Sequence, residues 1–285
     1  MYKLADFIDL DRCPVHKSGS PEYLAAVEHA RAGLRADGCA VVKDLLRPEA
    51  VRIISDEIVA RKHTTHFSTQ NINPYFHVTP DPNYPDRHPV NTFIERSSGF
   101  IPGDSWEPHT ATSILFHSAE LAQFVADCLE VPTLYCYADP LAGLTANILD
   151  PGQQFTWHFD TNDFAVTVLV DEADEGGLFE YVPMIRDADH EGFDSIQEIL
   201  EGGTKAVHTL DLSAGDMQIF RGRYSLHRVT RVPLGSAPRH AAIFAYTQEP
   251  GVIGRLERTR QLFGRVLPEH EAAERERVRS DQLID

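Results

Sequence analysis

Between residues 134 and 246 the chain breaks into short apolar or alternating segments punctuated by turn residues, and this pattern limits the fold more than any other feature. The predicted strands are 134–137, 144–149, 155–159, 165–170, 177–182, 206–210, 217–220, 227–229 and 240–246. Asp150-Pro151-Gly152, Glu175-Gly176-Gly177, Ala214-Gly215-Asp216 and Leu234-Gly235-Ser236 separate several of them. Such residues collect where the chain reverses, because they accept the backbone angles a tight turn needs. About eight short strands at this spacing suit a double-sheet jelly roll, that is, a double-stranded β-helix. A surface helix predicted at 195–200 interrupts the series.

Two motifs inside this run carry chemistry, Trp157-His158-Phe159-Asp160 and Leu226-His227-Arg228-Val229. Side chains two residues apart on a strand share a face, so His158 and Asp160 point the same way. His227 lies 69 positions after His158, beyond the Gly215-Asp216 turn and the 217–220 strand, and can return to the same end of a barrel. Two His and one carboxylate leave positions open on a six-coordinate metal, which suits non-heme Fe(II) oxygen chemistry. An isolated His-x-Asp is weak on its own. Here a strand and turn (147–152) precede it and an apolar strand (164–170) follows. The competing explanation for His158 and Asp160 is a buried His–carboxylate hydrogen bond. Among the 14 histidines, His208 and His240 are the rivals of His227.

Oxygen activation also needs electrons, and a 2-oxo acid can supply them while chelating the metal. Its far carboxylate then needs a cation inside the barrel. Arg239 is the candidate, because its face of the 240–246 strand continues as Ala241, Ile243 and Ala245. Small and apolar neighbours leave room beside a guanidinium, which grips a carboxylate with two parallel hydrogen bonds. Arg231 and Arg228 are the alternatives, a rim salt bridge is the competing role, and Asn147 offers a polar contact from the barrel floor.

The first half reads differently. A helix is predicted at 21–35, opened by Ser20 with Glu22 in its first turn and closed by Asp37-Gly38. A short strand at 39–43 follows, then a helix from Arg47-Pro48-Glu49 to about Arg61, with Pro in its favoured early position. Residues 63–106 show no clean period, yet they are rich in aromatics, and they read as a packed covering segment over a substrate pocket. A helical pattern returns at 112–129, and the tail from 257 to 285 is charged and mostly helical. The expected organisation is one domain: helical support and cover at 1–133, jelly roll at 134–250 and helical tail at 251–285.

Composition narrows the partners. A net charge of −17 argues against a nucleic-acid backbone, which requires clustered Lys and Arg. Cys13, Cys39, Cys128 and Cys136 match no zinc or Cys-x-x-Cys spacing and read as free thiols of a reducing compartment. No apolar run approaches the ~18 residues of a membrane span, and the first residues lack a signal-peptide pattern. The expectation is a cytoplasmic protein, monomer or homodimer, acting on a small molecule.

Trp157-His158-Phe159-Asp160, Gly177-Leu178-Phe179-Glu180-Tyr181-Val182-Pro183 with Ile185-Arg186, and the stretch from Gly215-Asp216 to Val229 together resemble the Fe(II)/2-oxoglutarate-dependent oxygenases. The branch resembled is the one of free-amino-acid halogenases and hydroxylases, such as the lysine halogenase. The likeness covers about 147–251 and is only general before that. It implies a double-stranded β-helix with flanking helices, iron held by His158, Asp160 and His227, and 2-oxoglutarate held by the metal and an Arg. It also implies O2 as co-substrate, succinate and CO2 as products, and a C–H bond as the target. The halogenases carry Gly or Ala where this chain has Asp160, leaving room for chloride. The carboxylate here makes hydroxylation the expected outcome. The substrate implied is a free amino acid or a derivative, with Arg96, Asn162 and Asp163 as candidate contacts. Desaturation or cyclisation of another metabolite or a nucleoside stays open, as does a cupin-like binding module without catalysis.

Overall fold

The computed structural model describes residues 2–276 and 283–284. Its helices are α1 (Leu4–Phe7), α2 (Pro21–Asp37), α3 (Pro48–Arg61), α4 (Ala111–Phe116), α5 (Ala119–Leu129), α6 (Phe193–Leu200), α7 (Leu256–Phe263) and α8 (Pro268–Glu276). Its strands are β1 (Cys39–Val42), β2 (His66–Ile72), β3 (Ile94–Ile101), β4 (Tyr135–Cys136), β5 (Leu144–Leu149), β6 (Phe155–His158), β7 (Ala165–Asp171), β8 (Phe179–Val182), β9 (His208–Thr209), β10 (Met217–Phe220), β11 (Leu226–Val229), β12 (Arg239–Phe244) and β13 (Tyr246–Thr247).

A large antiparallel sheet in the order β1-β10-β7-β12-β5-β3-β2 faces a smaller one in the order β6-β11-β8-β9. This is the expected double-stranded β-helix with flanking helices. The period of two along the large sheet divides its residues. Ala146, Ile148, Val166, Val168, Ile219, Ala242 and Phe244 join the main core with α2, α3 and α5. Their sequence neighbours Asn147, Thr167, Gln218, Ala241 and Ile243 line a cavity on the opposite face. One alternation therefore builds both the core and the chamber.

The helical layer forms for local reasons. Ser20 Oγ accepts from Tyr23 N–H at 3.2 Å, Pro21 opens α2, and Gly38 ends it at φ 65°. Tyr23, Val27, Ala30 and Leu34 form its buried stripe. A similar stripe, Ala50, Ile54 and Ile58, buries α3. Among the described residues no helix is long and apolar enough to cross a membrane.

Three expectations change. The covering segment at 63–106 contributes β2 and β3 to the large sheet. No alternation announced β3, because Arg96 through Ile101 are buried on both faces and Arg96, Ser97 and Ser98 are polar. The helix predicted at 112–129 is two helices, broken where Ser118 Oγ accepts from Leu121 N–H at 3.2 Å and caps α5. The 240–246 strand splits, and Tyr246 pairs with Cys136 on β4 instead of continuing along β5. Of the predicted helical tail, α7 and α8 are formed, and 277–282 and 285 lie outside the described residues.

Cys13, Cys39 and Cys128 are buried free thiols. Burial pushes them from 9.0 up to about 11, 12 and 12 respectively. Groups whose folded pKa is raised contribute stability that is complete below pH 9 and is lost as pH climbs toward 12. Denaturant titrations at pH 8 and pH 10 are expected to show lower stability at pH 10. Thiol-reactive probes should label these three residues only on unfolding, and prompt labelling of the native protein would refute their burial.

Candidate metal centre

His158 ends β6 and His227 sits opposite it on β11, in register across the small sheet. Asp160 follows two residues after His158, outside the strand. Its Oδ1 lies 3.9 Å from His158 Nε2 and 3.6 Å from His227 Nε2. One ligand atom from each of the three residues lies within 4.8 Å of the others. Both imidazoles are oriented from behind: Nδ1 of His158 is 2.7 Å from the Thr156 carbonyl, and Nδ1 of His227 is 3.0 Å from the Ser225 carbonyl. A carbonyl can only accept, so each Nδ1 carries a proton and each Nε2 faces Asp160. Phe155 stacks on His158 at 3.9 Å and Phe179 on His227 at 5.6 Å, which fixes the ring planes.

Burial, and the neighbouring His227 after it, push His158 well below its usual value, so its ring is neutral. Burial alone would raise Asp160, but His227 and His158, with a smaller push from the Arg258 guanidinium, outweigh it and hold the carboxyl at about 2. A neutral imidazole and an ionised carboxylate are the states a metal requires of its ligands. Two nitrogens and one oxygen suit a divalent first-row metal such as Fe(II). The residues present fit such an ion.

Gly222 makes room for Asp160. The Asp160 N–H donates to the Gly222 carbonyl at 3.1 Å, and a Cβ at Gly222 would stand 1.9 Å from Asp160 Oδ2 and 2.7 Å from its Cγ. Gly222→Ala is therefore expected to turn the carboxylate away and leave a folded chain. Metal affinity should fall by about 10–100-fold, the usual cost of disturbing a ligand's support. Ni(II) titration measures this, and unchanged affinity would show that Asp160 does not need that space.

From the three candidate ligands a cavity of about 100 Å³ runs to Arg239. Arg239, Ala241 and Ile243 share the inward face of β12, and Asn147 pairs with Ala241 from β5. Arg239 is 4% exposed, and burial lowers its guanidinium to about 10. It makes no hydrogen bond or ion pair with any described residue. Gly177, at φ 61°, lies against it, and a Cβ there would come 3.1 Å from Arg239 Cδ. A buried cation without a partner costs several kcal/mol, so an anion entering this cavity would be held strongly.

The other sequence candidates separate. Asn147 Nδ2 donates to the Gly99 carbonyl at 3.2 Å and lines the Arg239 cavity. Arg231 is a correction: it is half-exposed outside the barrel, bonded to Gly152 O and, at 3.0 Å, to Glu95. It lies past the end of β11, where Val232 takes the buried position. Arg228 pairs with Glu180 at 2.7 Å and lies over Trp157. His208 is exposed, and His240 is buried on the sheet face opposite the cavity with Nδ1 2.7 Å from Asp171 Oδ2, so neither joins the cluster. Asn162 lines a second cavity beyond Asp160, while Asp163 is 3.8 Å from Arg223 with its side chain 53% exposed. Arg96 is fully buried on β3. Its Nε donates to Ser98 at 3.0 Å, one terminal nitrogen has no partner, and its guanidinium lies 5.5 Å from the Phe155 ring that stacks on His158.

Sequence reasoning missed the second cavity's far wall. It holds about 140 Å³ and meets the first at Phe155, Asp160, Ala165 and Ile243. Phe76 and the α7 residues Arg258, Thr259, Leu262 and Phe263 close it. Spacing of three to four residues along 255–263 was the available signal. Phe76 sits at φ 67°, a costly angle for a bulky side chain. Asn73 enforces it, with Oδ1 accepting from Tyr75 and His77 N–H and Nδ2 donating to Val90 O. The C-terminal wall is latched by buried Asp139, which accepts from Gly254 N–H at 2.8 Å and lies 3.0 Å from His270 Nε2.

The family model HalD, Halogenase D, matches residues 106–252, just over half of the 285-residue chain. The chain belongs to the HalD family. The three candidate ligands, Asn147, Gly222 and Arg239 of this HalD-family chain all lie within the matched stretch, and α7 lies outside it. No curated protein matches the sequence. Among solved structures, an oxidoreductase of the 2OG-Fe(II) oxygenase family from Burkholderia pseudomallei is 13% identical, with TM-score 0.54, over 85% of this chain and 95% of its own. AviO1 from Streptomyces viridochromogenes is 17% identical, with TM-score 0.52, over 82% and 98%. HygX from Streptomyces hygroscopicus, solved with nickel, 2-oxoglutarate and hygromycin B, is 14% identical, with TM-score 0.50, over 80% and 86%. At these identities the likeness is one of fold.

Proposed function

We propose that this HalD-family chain is a non-heme Fe(II)- and 2-oxoglutarate-dependent oxygenase that hydroxylates a C–H bond of a free amino acid or amino-acid derivative. One observation carries the reading: two Nε2 atoms and a carboxylate oxygen converge at one end of a cavity whose other end is an unpaired, buried arginine. HygX, of the same fold, was solved with 2-oxoglutarate. His158, Asp160 and His227 would hold iron, and Arg239, with Asn147 beside it, would take the far carboxylate of 2-oxoglutarate. Bound there, the metal and co-substrate would supply O2 activation, with 2-oxoglutarate leaving as succinate and CO2.

The protein's share is orientation and exclusion of water. Thr156 and Ser225 carbonyls hold the imidazole tautomers, the Phe155 and Phe179 rings shield them, and Arg239 fixes the direction of the 2-oxo acid. Asp160 occupies the position that a chloride would need, which favours hydroxylation over halogenation despite the family's name.

The test begins without oxygen. Fe(II) and 2-oxoglutarate added to the protein should give a weak visible charge-transfer band. With O2 and a panel of amino acids, substrate-dependent succinate and a product heavier by one oxygen atom are then expected. Absence of both the band and 2-oxoglutarate binding would overturn the reading.

A further inference from the structure

The crossover between β10 and β11 supports two of the candidate ligands at once. The Gly222 carbonyl accepts from the Asp160 N–H at 3.1 Å, and the Ser225 carbonyl lies 3.0 Å from Nδ1 of His227. The position of residues 222–225 therefore bears on a ligand from each side. This segment belongs to neither strand, so no sheet ladder fixes it. The residues just after β8 grip it instead. The Met184 N–H donates to Ser225 Oγ at 3.0 Å, the Arg186 N–H to the Tyr224 carbonyl at 3.2 Å, and Arg186 Nε to the Arg223 carbonyl at 2.7 Å. Three consecutive residues of the crossover are thus each tied to 184–186.

Arg186 also reaches the other side of Asp160. Its guanidinium lies 3.8 Å from the ring centroid of Phe159, the residue between His158 and Asp160. Tyr75 stacks on the same ring at 5.7 Å. The outer end of Arg186 is pinned in turn: a terminal nitrogen donates to Glu191 at 3.1 Å and to the Ile284 carbonyl at 3.1 Å, and the Ile284 N–H donates to Glu191 at 2.5 Å. Arg186 is 2% exposed, and Leu283 is buried beside this contact in sequence.

We infer that, on the metal reading above, Arg186 is a positioning residue for the metal centre: it holds Phe159 and the 222–225 crossover in fixed relation, so that Asp160 and His227 keep their directions toward a common point. A guanidinium suits this task because it is planar. Its face covers an aromatic ring while the N–H groups on its edge donate in the plane. A lysine ammonium is a point charge and cannot do both. Arg186 touches neither the ion nor a substrate, and it acts through Phe159 and the Arg223 and Tyr224 carbonyls. Residues 283–284, from the far end of the chain, complete its seat.

Co(II) titration followed by visible absorption tests this, since the band positions and intensities of Co(II) report the arrangement of its ligands. Arg186→Met keeps an unbranched side chain and removes the plane and the donors. It is expected to lower Co(II) affinity by about 10–100-fold, the usual cost of losing a ligand's support, and to change the spectrum of the bound ion. Arg186→Lys retains a charge for Glu191 and should fall between R186M and the wild type. Ile199→Ala is the control: it thins the apolar cluster that contains Phe159 and breaks none of these bonds. It should lower the melting temperature and leave Co(II) affinity and spectrum unchanged. Folded R186M and R186K with wild-type affinity and spectrum, or an equal loss in I199A, would overturn the inference. If R186M does not fold by circular dichroism, R186K decides by the same criteria. A wild-type protein that takes up no Co(II) fails the metal reading itself, which separates the two.

Discussion

Replacing His227 with alanine is expected to lower metal affinity by more than about 100-fold and to abolish succinate formation. Disturbing a group that merely orients a ligand costs about 10–100-fold, so removing the ligand costs more. The remaining pair, His158 and Asp160, lies 3.9 Å apart on one short segment and cannot surround an ion without the donor from β11. Ni(II) titration and succinate assays on H227A and on His240→Ala make the comparison. His240 is the closest sequence rival, but it points to the other face of the large sheet and bonds to Asp171. Normal metal binding in H227A together with loss in H240A would reverse the assignment.

Arg239→Leu is expected to move stability and ligand binding in opposite directions. The wild-type guanidinium is buried, unpaired and lowered to about 10. Replacing a buried charge with a hydrocarbon of similar volume is neutral or stabilising by about 1–4 kcal/mol. The ligand-free variant should therefore unfold at the same or a higher temperature than the wild type. Its affinity for 2-oxoglutarate should drop by about 100-fold, from the loss of paired charged hydrogen bonds worth about 3 kcal/mol together. Added 2-oxoglutarate then no longer raises the melting temperature, because that rise follows the ratio of ligand concentration to Kd. A structural role alone predicts the opposite, lower stability with 2-oxoglutarate affinity retained. Thermal unfolding with and without 2-oxoglutarate distinguishes the two.

The parts of this protein that local chemistry dictates were legible in the sequence. Ser20, Pro21 and Gly38 delimit α2 because a cap, a fixed φ and a left-handed residue act within a few positions. The strands 144–149 and 217–220 were read at their observed bounds, since a short, fully buried strand shows itself by length and bounding turns. His158 and Asp160 were singled out because residues two apart were expected to share a strand face, whereas β6 ends at His158 and the Asp160 N–H bonds to the Gly222 carbonyl outside the strand.

What could not be read was decided by contacts between distant segments. β3 carries Arg96, Ser97 and Ser98 into the interior, and only the strands and helix packed around it make that tolerable. The rejection of Arg231 came from where the chain leaves β11, and the separation of His227 from His240 was settled by which face of which sheet each occupies. Gly222 gives no local sign of its role, because the atom it avoids belongs to Asp160, sixty-two positions earlier. Arg258 reads as part of a charged, helical tail until α7 is laid across β2 and β3. Periodicity and turn chemistry act over a few residues and so determined the jelly roll. Convergence of the three candidate ligands and the unpaired state of Arg239 depend on long-range packing, which only the tertiary structure decided.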